Sequence, residues 1–165
     1  MADEWMRFYE VTEHVPADRR LFRSSAPNYN KGGQPLTQSA VDFLVSQGVN
    51  SIISFHQLPY GDTTGKSLLE SAGILYHHIP VADFTAPTQQ QLKDAVEFFA
   101  SISSACTLVH CGYGHGRTGT GVTALQLAAT QGKNPGEEDW IKINHVETAS
   151  QIQALRQFRD SLQSD

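Results

Sequence analysis

The sequence predicts an α/β fold, with a mostly parallel central sheet of about four to five strands flanked by helices. Two observations lead to this class. Short runs of apolar and β-branched residues, typical of buried strands, occur at 49–55, 74–79 and 107–110. Longer segments between and after them repeat apolar residues every three or four positions, as helices do when one face is buried. This alternation of strands and helices favours parallel strands joined by helical crossovers.

The first part of the chain contains two predicted strands. Residues 7–15 alternate loosely between apolar and polar and are assigned to an edge strand, although Glu10 and Glu13 weaken the pattern. Residues 20–26 form a second short strand, which leads into a turn at 27–33. We expect the arginines of this second strand to be surface charges.

The middle of the chain alternates helices and strands. Thr37 is a candidate N-cap for a helix over 38–47, and 49–55 follow as a central strand. A shorter helix at 65–71 precedes the strand at 74–79. Thr88 then begins a helix as part of a capping box with Gln91, and this helix is the crossover to the strand at 107–110.

The last third of the chain is predicted to be helical. A helix over 118–131 ends in a polar turn, and a short helix follows at 137–144. The final helix presents one apolar face, which consists of Ile152, Leu155, Phe158 and Leu162.

Composition limits the classes of function. The 165 residues are interpreted as one domain over 1–165, and 39% apolar with 18% charged residues is typical of a soluble globular protein. No run approaches the roughly 20 apolar residues of a membrane span. The net charge of −5, without a basic run, argues against nucleic acid as a partner. Residues 1–5 lack the features of a secretory signal, so we expect a cytoplasmic protein. We also expect it to be a monomer.

The cysteine content is low. Only Cys106 and Cys111 occur, which is too few for a disulfide framework and suits a reducing compartment. A regulatory bridge between them is conceivable, but Cys106 is more simply explained as the start of a strand.

The stretch after the strand at 107–110 is the most informative. Residues 111–117 form the turn before the helix at 118–131 and contain Cys111, three glycines and Arg117. Such a turn directs backbone N–H groups to one point at the positive end of a helix, which favours an anion, and a thiolate over a thiol. Glycines let the backbone close around a tetrahedral group, and arginine offers a planar fork for two phosphate oxygens. The pattern predicts a nucleophile inside an anion-binding loop.

These residues carry a family resemblance. Cys111, five intervening residues, Arg117 and Thr118 resemble the Cys-x5-Arg-[Ser/Thr] signature of the cysteine-dependent protein tyrosine and dual-specificity phosphatases. His110 before the cysteine and the Gly-Arg-Thr-Gly sequence at the end match the fuller signature. Tyr113 departs from it, because alanine is common at that position.

The resemblance implies a phosphatase-like fold and specific roles. Cys111 would be the nucleophile that forms a phosphocysteine, and Arg117 would bind the phosphoryl oxygens. The Thr118 hydroxyl would stabilise the thiolate, with His110 in a supporting position. No metal or other cofactor is expected, because the loop supplies the stabilising charge. The implied phosphate-binding residues are Gly112, Tyr113, Gly114, His115, Gly116 and Arg117.

Other interpretations of the same residues are weaker. Glycines of the loop also satisfy G-x-G-x-x-G, a dinucleotide-binding pattern, but no second strand with an acidic residue for a ribose follows the helix. A buried cysteine by itself would be a small apolar residue. His77 and His78 are adjacent on a predicted strand and would point to opposite faces, which argues against a zinc site.

The loop at 81–87 is a second candidate for chemistry. It resembles the mobile acid loop of the phosphatases, with Asp83 at the position of the general acid. A carboxylic acid that protonates a poor leaving group contributes about 10² to 10⁴-fold. Val81 and Ala82 stand where the classical tyrosine-specific enzymes carry Trp-Pro, which favours the compact dual-specificity branch. The alternative is a turn-forming aspartate. Parallel strands would bring this loop and Cys111 to one edge of the sheet.

Residues 146–151 resemble the family's glutamine loop, Gln-Thr-x-x-Gln, whose first glutamine positions the hydrolytic water. Glu147 occupies that first position, and a phosphorylated intermediate would repel its carboxylate unless it points away. Gln151 matches the second glutamine. It also forms a capping box with Thr148, which is the interpretation we favour.

The expected activity is hydrolysis of phosphate monoesters on proteins, on phosphotyrosine and also on phosphoserine or phosphothreonine; a small phosphomonoester is another substrate class. A phosphoinositide or inositol phosphate phosphatase is the alternative. Lipid-directed members of the family often carry lysines in the loop, where this chain has Gly112 and His115. A partly protonated His115 would be a weak substitute.

A binding module that captures phosphorylated ligands without turnover is a third possibility. The presence of Cys111, Arg117 and Asp83 argues against it, whereas Glu147 argues for it.

Overall fold

The structure is a computed structural model that describes residues 4–60 and 63–164, with only the backbone described at 63 and 64. Residues 1–3 belong to the N-terminal stretch from which the lack of a secretory signal was predicted, and they lie outside the described residues.

One five-stranded sheet organises the chain. Its strands are β1 (Tyr9–Val11), β2 (Arg20–Ser24), β3 (Ser51–Ser54), β4 (Leu75–His78) and β5 (Cys106–His110). They lie in the order β1-β2-β5-β3-β4. β1 is antiparallel to β2 at one edge, and every other pair is parallel. The predicted α/β class with a mostly parallel sheet is therefore confirmed.

Six helices lie among the described residues. They are α1 (Gln38–Ser46), α2 (Thr63–Ala72), α3 (Gln89–Ser101), α4 (Gly116–Ala129), α5 (Glu137–Lys142) and α6 (Ala149–Gln163). Within this part of the chain, no helix is both long and apolar enough to cross a membrane.

The predicted capping residues start their helices, but α2 and α4 each begin two residues earlier than predicted. Thr37 caps α1, and Thr88 caps α3 in a capping box with Gln91. α4 begins two residues earlier than predicted, at Gly116, so Arg117 belongs to the first helical turn. The turn after Cys111 is correspondingly shorter.

β5 is the central strand and is buried on both faces. Successive strand residues point to opposite faces, so Leu108 packs among residues of α1 and α2, whereas Val109 packs among residues of α3 and α4. A third cluster, which includes Leu92, Trp140 and Leu155, holds α3, α5 and α6 against α4. Packing on every side thus fixes the point at which β5 ends.

The parallel strands deliver their following loops to one edge of the sheet. Phe55 N–H donates to the His110 carbonyl oxygen at 2.7 Å, and Ala26 N–H donates to the Gly112 carbonyl oxygen at 2.8 Å. These bonds continue the ladder past the ends of β3, β5 and β2. The segments after three neighbouring strands therefore meet around Cys111.

Candidate active site

Cys111 is the first residue after β5 and is 2% exposed. Two groups donate hydrogen bonds to its sulfur: Gly114 N–H at 3.3 Å and the Thr118 hydroxyl at 3.0 Å. Both donors belong to the loop and first turn of α4, where unpaired amide groups give the helix its positive end. Sulfur is thus surrounded by groups that stabilise a thiolate.

Gly114 is the position at which the loop requires glycine. Its φ is +105°, and a Cβ there would lie 2.8 Å from Ser25 N and 2.9 Å from the Ser24 carbonyl. The loop backbone therefore rests directly on the backbone that follows β2. This contact sets the height of the loop above the end of the sheet.

Arg117 lies at the same edge with only 5% of its surface exposed. Its Nη1 donates to the Val81 carbonyl oxygen at 2.8 Å, and the Phe55 carbonyl oxygen lies 3.5 Å away. Its Nη2 is 3.3 Å from Asp83 Oδ1. The guanidinium is thus oriented by the segments after β3 and β4.

Asp83 reaches the site from the loop after β4. Its side chain is 60% exposed and faces Arg117. Oδ1 also accepts a hydrogen bond from Phe84 N–H at 3.0 Å. This bond reaches the next residue, whereas an Asx turn would reach the residue two positions on, and the same oxygen lies beside Arg117.

His110 is buried and does not face the sulfur. One ring nitrogen contacts the Tyr60 hydroxyl at 2.7 Å, and the other contacts the Cys111 carbonyl oxygen at 3.0 Å. Complete burial lowers the pKa of His110 to about 3, so the ring is neutral at physiological pH. His110 thus contacts the backbone of Cys111 and carries no positive charge at physiological pH.

His115 also differs from expectation. It stacks on His145 with ring centroids 4.3 Å apart. Partial burial lowers the pKa of His115, and the neighbouring His145, Arg23 and Arg7 lower it further. A protonated His115 in place of a loop lysine is therefore disfavoured, because cations already surround it.

Tyr113 forms an exposed rim of the loop. It is 46% exposed, and the Arg7 guanidinium lies 3.6 Å from the centre of its ring. The Arg7 Nε also donates to the Tyr113 carbonyl oxygen at 2.7 Å. The N-terminal segment thereby holds the outer part of the loop.

Glu147 does not point away from the loop. A Cβ on Gly116 would overlap Glu147 Oε1, so the carboxylate lies against the start of α4. This is the arrangement in which the carboxylate would repel a phosphorylated intermediate.

Gln151 is fully buried and acts as a structural tie. Its Oε1 accepts hydrogen bonds from the N–H groups of Glu147 at 2.9 Å and Thr148 at 3.2 Å, which includes the predicted capping box. Its Nε2 donates to the carbonyl oxygen of Thr85 at 3.2 Å. Gln151 thus joins the start of α6 to the loop that carries Asp83.

Arg23 lies beside the loop after Cys111, which the sequence did not lead us to expect. The two arginines of β2 were expected at the surface, and this holds for Arg20, which pairs with Glu10 at 2.9 Å. Arg23 is instead 1% exposed, and its Nη2 donates to the Gly114 carbonyl oxygen at 3.1 Å. Arg23 lies two residues after Leu21 on β2, and residues two apart on a strand share a face. This spacing could have indicated from the sequence that Arg23 is buried.

Cys106 lies at the opposite end of β5 from Cys111. The two are about 16 Å apart at the rise of a strand, whereas bridged cysteines have Cα atoms about 4 to 7 Å apart. Burial raises the pKa of the Cys106 thiol. A direct Cys106–Cys111 bridge is therefore incompatible with this fold.

The described residues contain no group of three or more His, Cys, Asp and Glu side chains that could hold a metal ion. The two histidines at the end of β4 separate, as expected for neighbours on a strand: His77 stacks on Phe98, and His78 on Tyr76.

A cavity of about 700 Å³ adjoins the loop. His56 connects the two, since its Nε2 would lie 3.7 Å from a Cβ on Gly112. Burial lowers the pKa of His56, and Arg117 lowers it further. The other lining residues are Ala26, Pro27, Lys31, Gly32, Gly33, Gln34, Leu58, Pro59 and Tyr60.

Comparison with known proteins gives one family match. The model described as "Polymorphic toxin system, DSP-PTPase phosphatase" matches residues 29–131, more than half of the chain. Cys111, Arg117 and Asp83 lie inside the matched range, and Glu147 lies beyond it.

Solved structures share the fold. Kinase associated phosphatase (KAP), with serine at its catalytic cysteine, is 21% identical with a TM-score of 0.66, over 89% of this chain and 88% of that one. PTPMT1 in complex with PI(5)P is 19% identical with a TM-score of 0.70, over 95% and 97%. The core catalytic domain of the PP-IP phosphatase SIW14 from S. cerevisiae is 17% identical with a TM-score of 0.64, over 92% and 84%.

The hydroxyl of Thr118 offers a direct test of the sulfur environment. We expect Thr118→Val to raise the pH midpoint of Cys111 alkylation by iodoacetate by about one unit, because a hydrogen bond to a charged group is worth about 1.5 to 3 kcal/mol. Peptide mass spectrometry at each pH measures the reaction at Cys111 separately from Cys106. Thr118→Ser keeps the hydroxyl and should retain the wild-type midpoint. Equal midpoints for the valine and serine variants would contradict the assignment of the Thr118 hydroxyl as a group that stabilises the Cys111 thiolate.

Proposed function

This chain belongs to the family of DSP-PTPase phosphatases of polymorphic toxin systems, and on that premise we propose that it hydrolyses phosphate monoesters through a phosphocysteine on Cys111. The family and its type of enzyme, a cysteine-dependent phosphatase, are the premise; the residue roles are the proposal. One observation carries it: after β5, a sulfur with two donors is followed by a buried arginine, and this arginine meets an aspartate from the loop after β4.

In the first step, the Cys111 thiolate attacks phosphorus in line with the leaving oxygen. The S–P bond forms as the P–O bond breaks, and Asp83 gives its proton to the departing oxygen. Arg117 exchanges its contact with Asp83 for phosphoryl oxygens. The charge on these oxygens is met by the guanidinium and by amide groups already aimed at the loop centre, which avoids the cost of reorganising water.

In the second step, water attacks the phosphocysteine. Asp83, now a carboxylate, accepts a proton from the water, the S–P bond breaks, and inorganic phosphate leaves. Thr118 and the Gly114 amide, at 3.0 and 3.3 Å from the sulfur, stabilise the departing thiolate. The same two groups thus stabilise the thiolate before the first step and after the second.

For the substrate we propose a phosphorylated protein side chain, phosphotyrosine first. Two exposed aromatic residues support this choice: Phe84 is 65% exposed beside Asp83, and Tyr113 is 46% exposed on the loop. Rings at these positions suit the flanks of an aryl phosphate.

A phosphoinositide or inositol phosphate is the second candidate. The cavity of about 700 Å³ beside the loop supports it, because this volume suits a whole small molecule. Lys31 in its lining would pair with a further phosphate. PTPMT1 in complex with PI(5)P and the PP-IP phosphatase SIW14, which share the fold, are consistent with this class.

Cys111→Ser tests the nucleophile and the substrate class together. We expect wild type, with chelator present, to release phosphate from a panel of phosphotyrosine and phosphothreonine peptides, phosphoinositides and inositol phosphates, and the variant to release none. The preferred substrate then separates the protein class from the inositol class. Phosphate release by Cys111→Ser at the wild-type rate would overturn the mechanism. Ligand binding without turnover by wild type would instead identify a binding module.

Asp83→Asn tests the general acid. We expect the rate to fall by about 10² to 10⁴-fold for phenyl phosphate, whose leaving group needs a proton. With p-nitrophenyl phosphate the loss should be smaller, because that leaving group departs more readily as an anion. Asp42→Asn, an exposed aspartate on α1, serves as the matched control. The same loss for both substrates would argue against proton donation by Asp83.

Glu147→Gln tests the carboxylate beside the loop. With p-nitrophenyl phosphate, we expect the variant to have a higher steady-state rate relative to the initial burst of product. In the wild type, the Glu147 carboxylate lies against Gly116 and repels the phosphocysteine, and the variant lacks this charge. Glu138→Gln removes an exposed carboxylate from α5 and controls for net charge. A lower steady-state rate in Glu147→Gln would instead indicate that the carboxylate assists the water.

A further inference from the structure

Arg23 is a buried cation whose charge has no carboxylate partner. Only 1% of its surface is exposed, and its Nε and Nη1 atoms have no hydrogen-bond partner. Its Nη2 makes one bond, to the Gly114 carbonyl oxygen at 3.1 Å. Burial of an unpaired charge is costly, so such a group is retained only where something else compensates it.

The nearby carboxylates do not supply this compensation. Glu10, Glu13 and Asp139 line the same small cavity as Arg23, of about 180 Å³. Across residues 4–60 and 63–164, however, no salt bridge joins a carboxylate to Arg23, and Glu10 pairs with Arg20. On this side the guanidinium carbon lies 5.4 Å from the centre of the Tyr9 ring, and no described carboxylate neutralises its charge.

The other titratable neighbours of Arg23 are the groups on which its positive charge acts electrostatically. Burial lowers the pKa of Arg23, while Tyr9 and then Cys111 raise it. His115 and His145 lie on the same side, and Arg23 is among the causes that lower the pKa of each ring. The electrostatic neighbours of Arg23 thus include the sulfur of Cys111.

Arg23 is also connected to this sulfur by a short chain of contacts. Gly114 accepts from the guanidinium through its carbonyl oxygen and donates through its N–H to Cys111 Sγ at 3.3 Å. The residue has a φ of +105° and rests on the backbone of Ser24 and Ser25. The end of β2 therefore supplies both the guanidinium and the surface on which the loop lies.

We propose that Arg23 is a positioning residue of the active site, which orients Gly114 toward Cys111 and places a permanent positive charge behind the phosphate loop. The anion that compensates this charge is the Cys111 thiolate or the phosphoryl group bound to it. The inference rests on the proposed function, since it assigns the support of the same nucleophile.

The sulfur has other charged and titratable neighbours, and the test must separate Arg23 from them. Arg117 approaches from α4, Asp83 from the loop after β4, and His56 from the segment after β3. His110, on β5, is neutral because of its burial. These groups remain in place when only the side chain on β2 changes.

The experiment measures the pH midpoint of iodoacetate alkylation at Cys111 by peptide mass spectrometry in wild type, Arg23→Met, Arg23→Gln and Arg23→Lys. We expect the two neutral variants to raise the midpoint by about one pH unit, a tenfold smaller thiolate fraction below it. Lysine keeps the charge and should retain the wild-type midpoint. Arg20→Met, an exposed arginine on the same strand, should leave the midpoint unchanged.

Each outcome bears on the proposal. A folded neutral variant with the wild-type midpoint would show that Arg23 is only structural. Glutamine keeps a donor for Gly114, so it carries the test if methionine prevents folding. If neither neutral variant folds, the Arg23→Lys variant decides. A midpoint for Cys111 alkylation that is one pH unit above the wild-type value, although the positive charge is kept, would overturn the proposal that this charge supports the thiolate. Alkylation needs no turnover, so the phosphate-release experiment on Cys111→Ser fails or succeeds separately from this one.

Discussion

The parallel pairing of β5 with β2 on one side and with β3 on the other is the interaction on which the site depends. It brings the backbone after β2, the carbonyl group of Phe55 and the sulfur of Cys111 to the same edge. Because β5 is buried on both faces, its end cannot shift without disturbing two clusters of the core. A nucleophile on such a strand is held in place before any ligand arrives, and this is the condition for electrostatic preorganisation.

Positive charge is arranged around the loop from two directions. Arg117 faces the ligand side and is held by carbonyl groups and by Asp83, whereas Arg23 lies behind the loop without a carboxylate. The histidines add little charge: burial keeps His110 neutral, and partial burial, followed by the neighbouring His145 and arginines, lowers the pKa of His115. The site thus relies on guanidinium groups, whose charge is constant over the physiological pH range.

The start of α6 is joined to the loop that carries Asp83. Gln151 accepts from the backbone of Glu147 and Thr148 and donates to the carbonyl oxygen of Thr85. One buried amide therefore fixes the Glu147 backbone on one side and the loop of Asp83 on the other. The residue that caps α6 therefore also contacts the loop after β4.

The sequence alone determined those features that depend on near neighbours along the chain. The spacing from Cys111 to Thr118 places a sulfur and its donors within one loop and one helical turn, and the capping boxes at Thr88 and Thr148 start their helices at the predicted residues. The α/β class followed from the alternation of apolar runs, for the same local reason.

Tertiary structure decided the features that depend on distant segments. The approach of Asp83 to Arg117 requires two parallel strands to end together, and the burial of Arg23 depends on the helices that cover β2. The direction of Glu147 and the neutrality of His110 follow from packing against Gly116 and Tyr60. Burial and long-range contacts set charge state and orientation, and neither quantity is encoded in the spacing of residues along one segment.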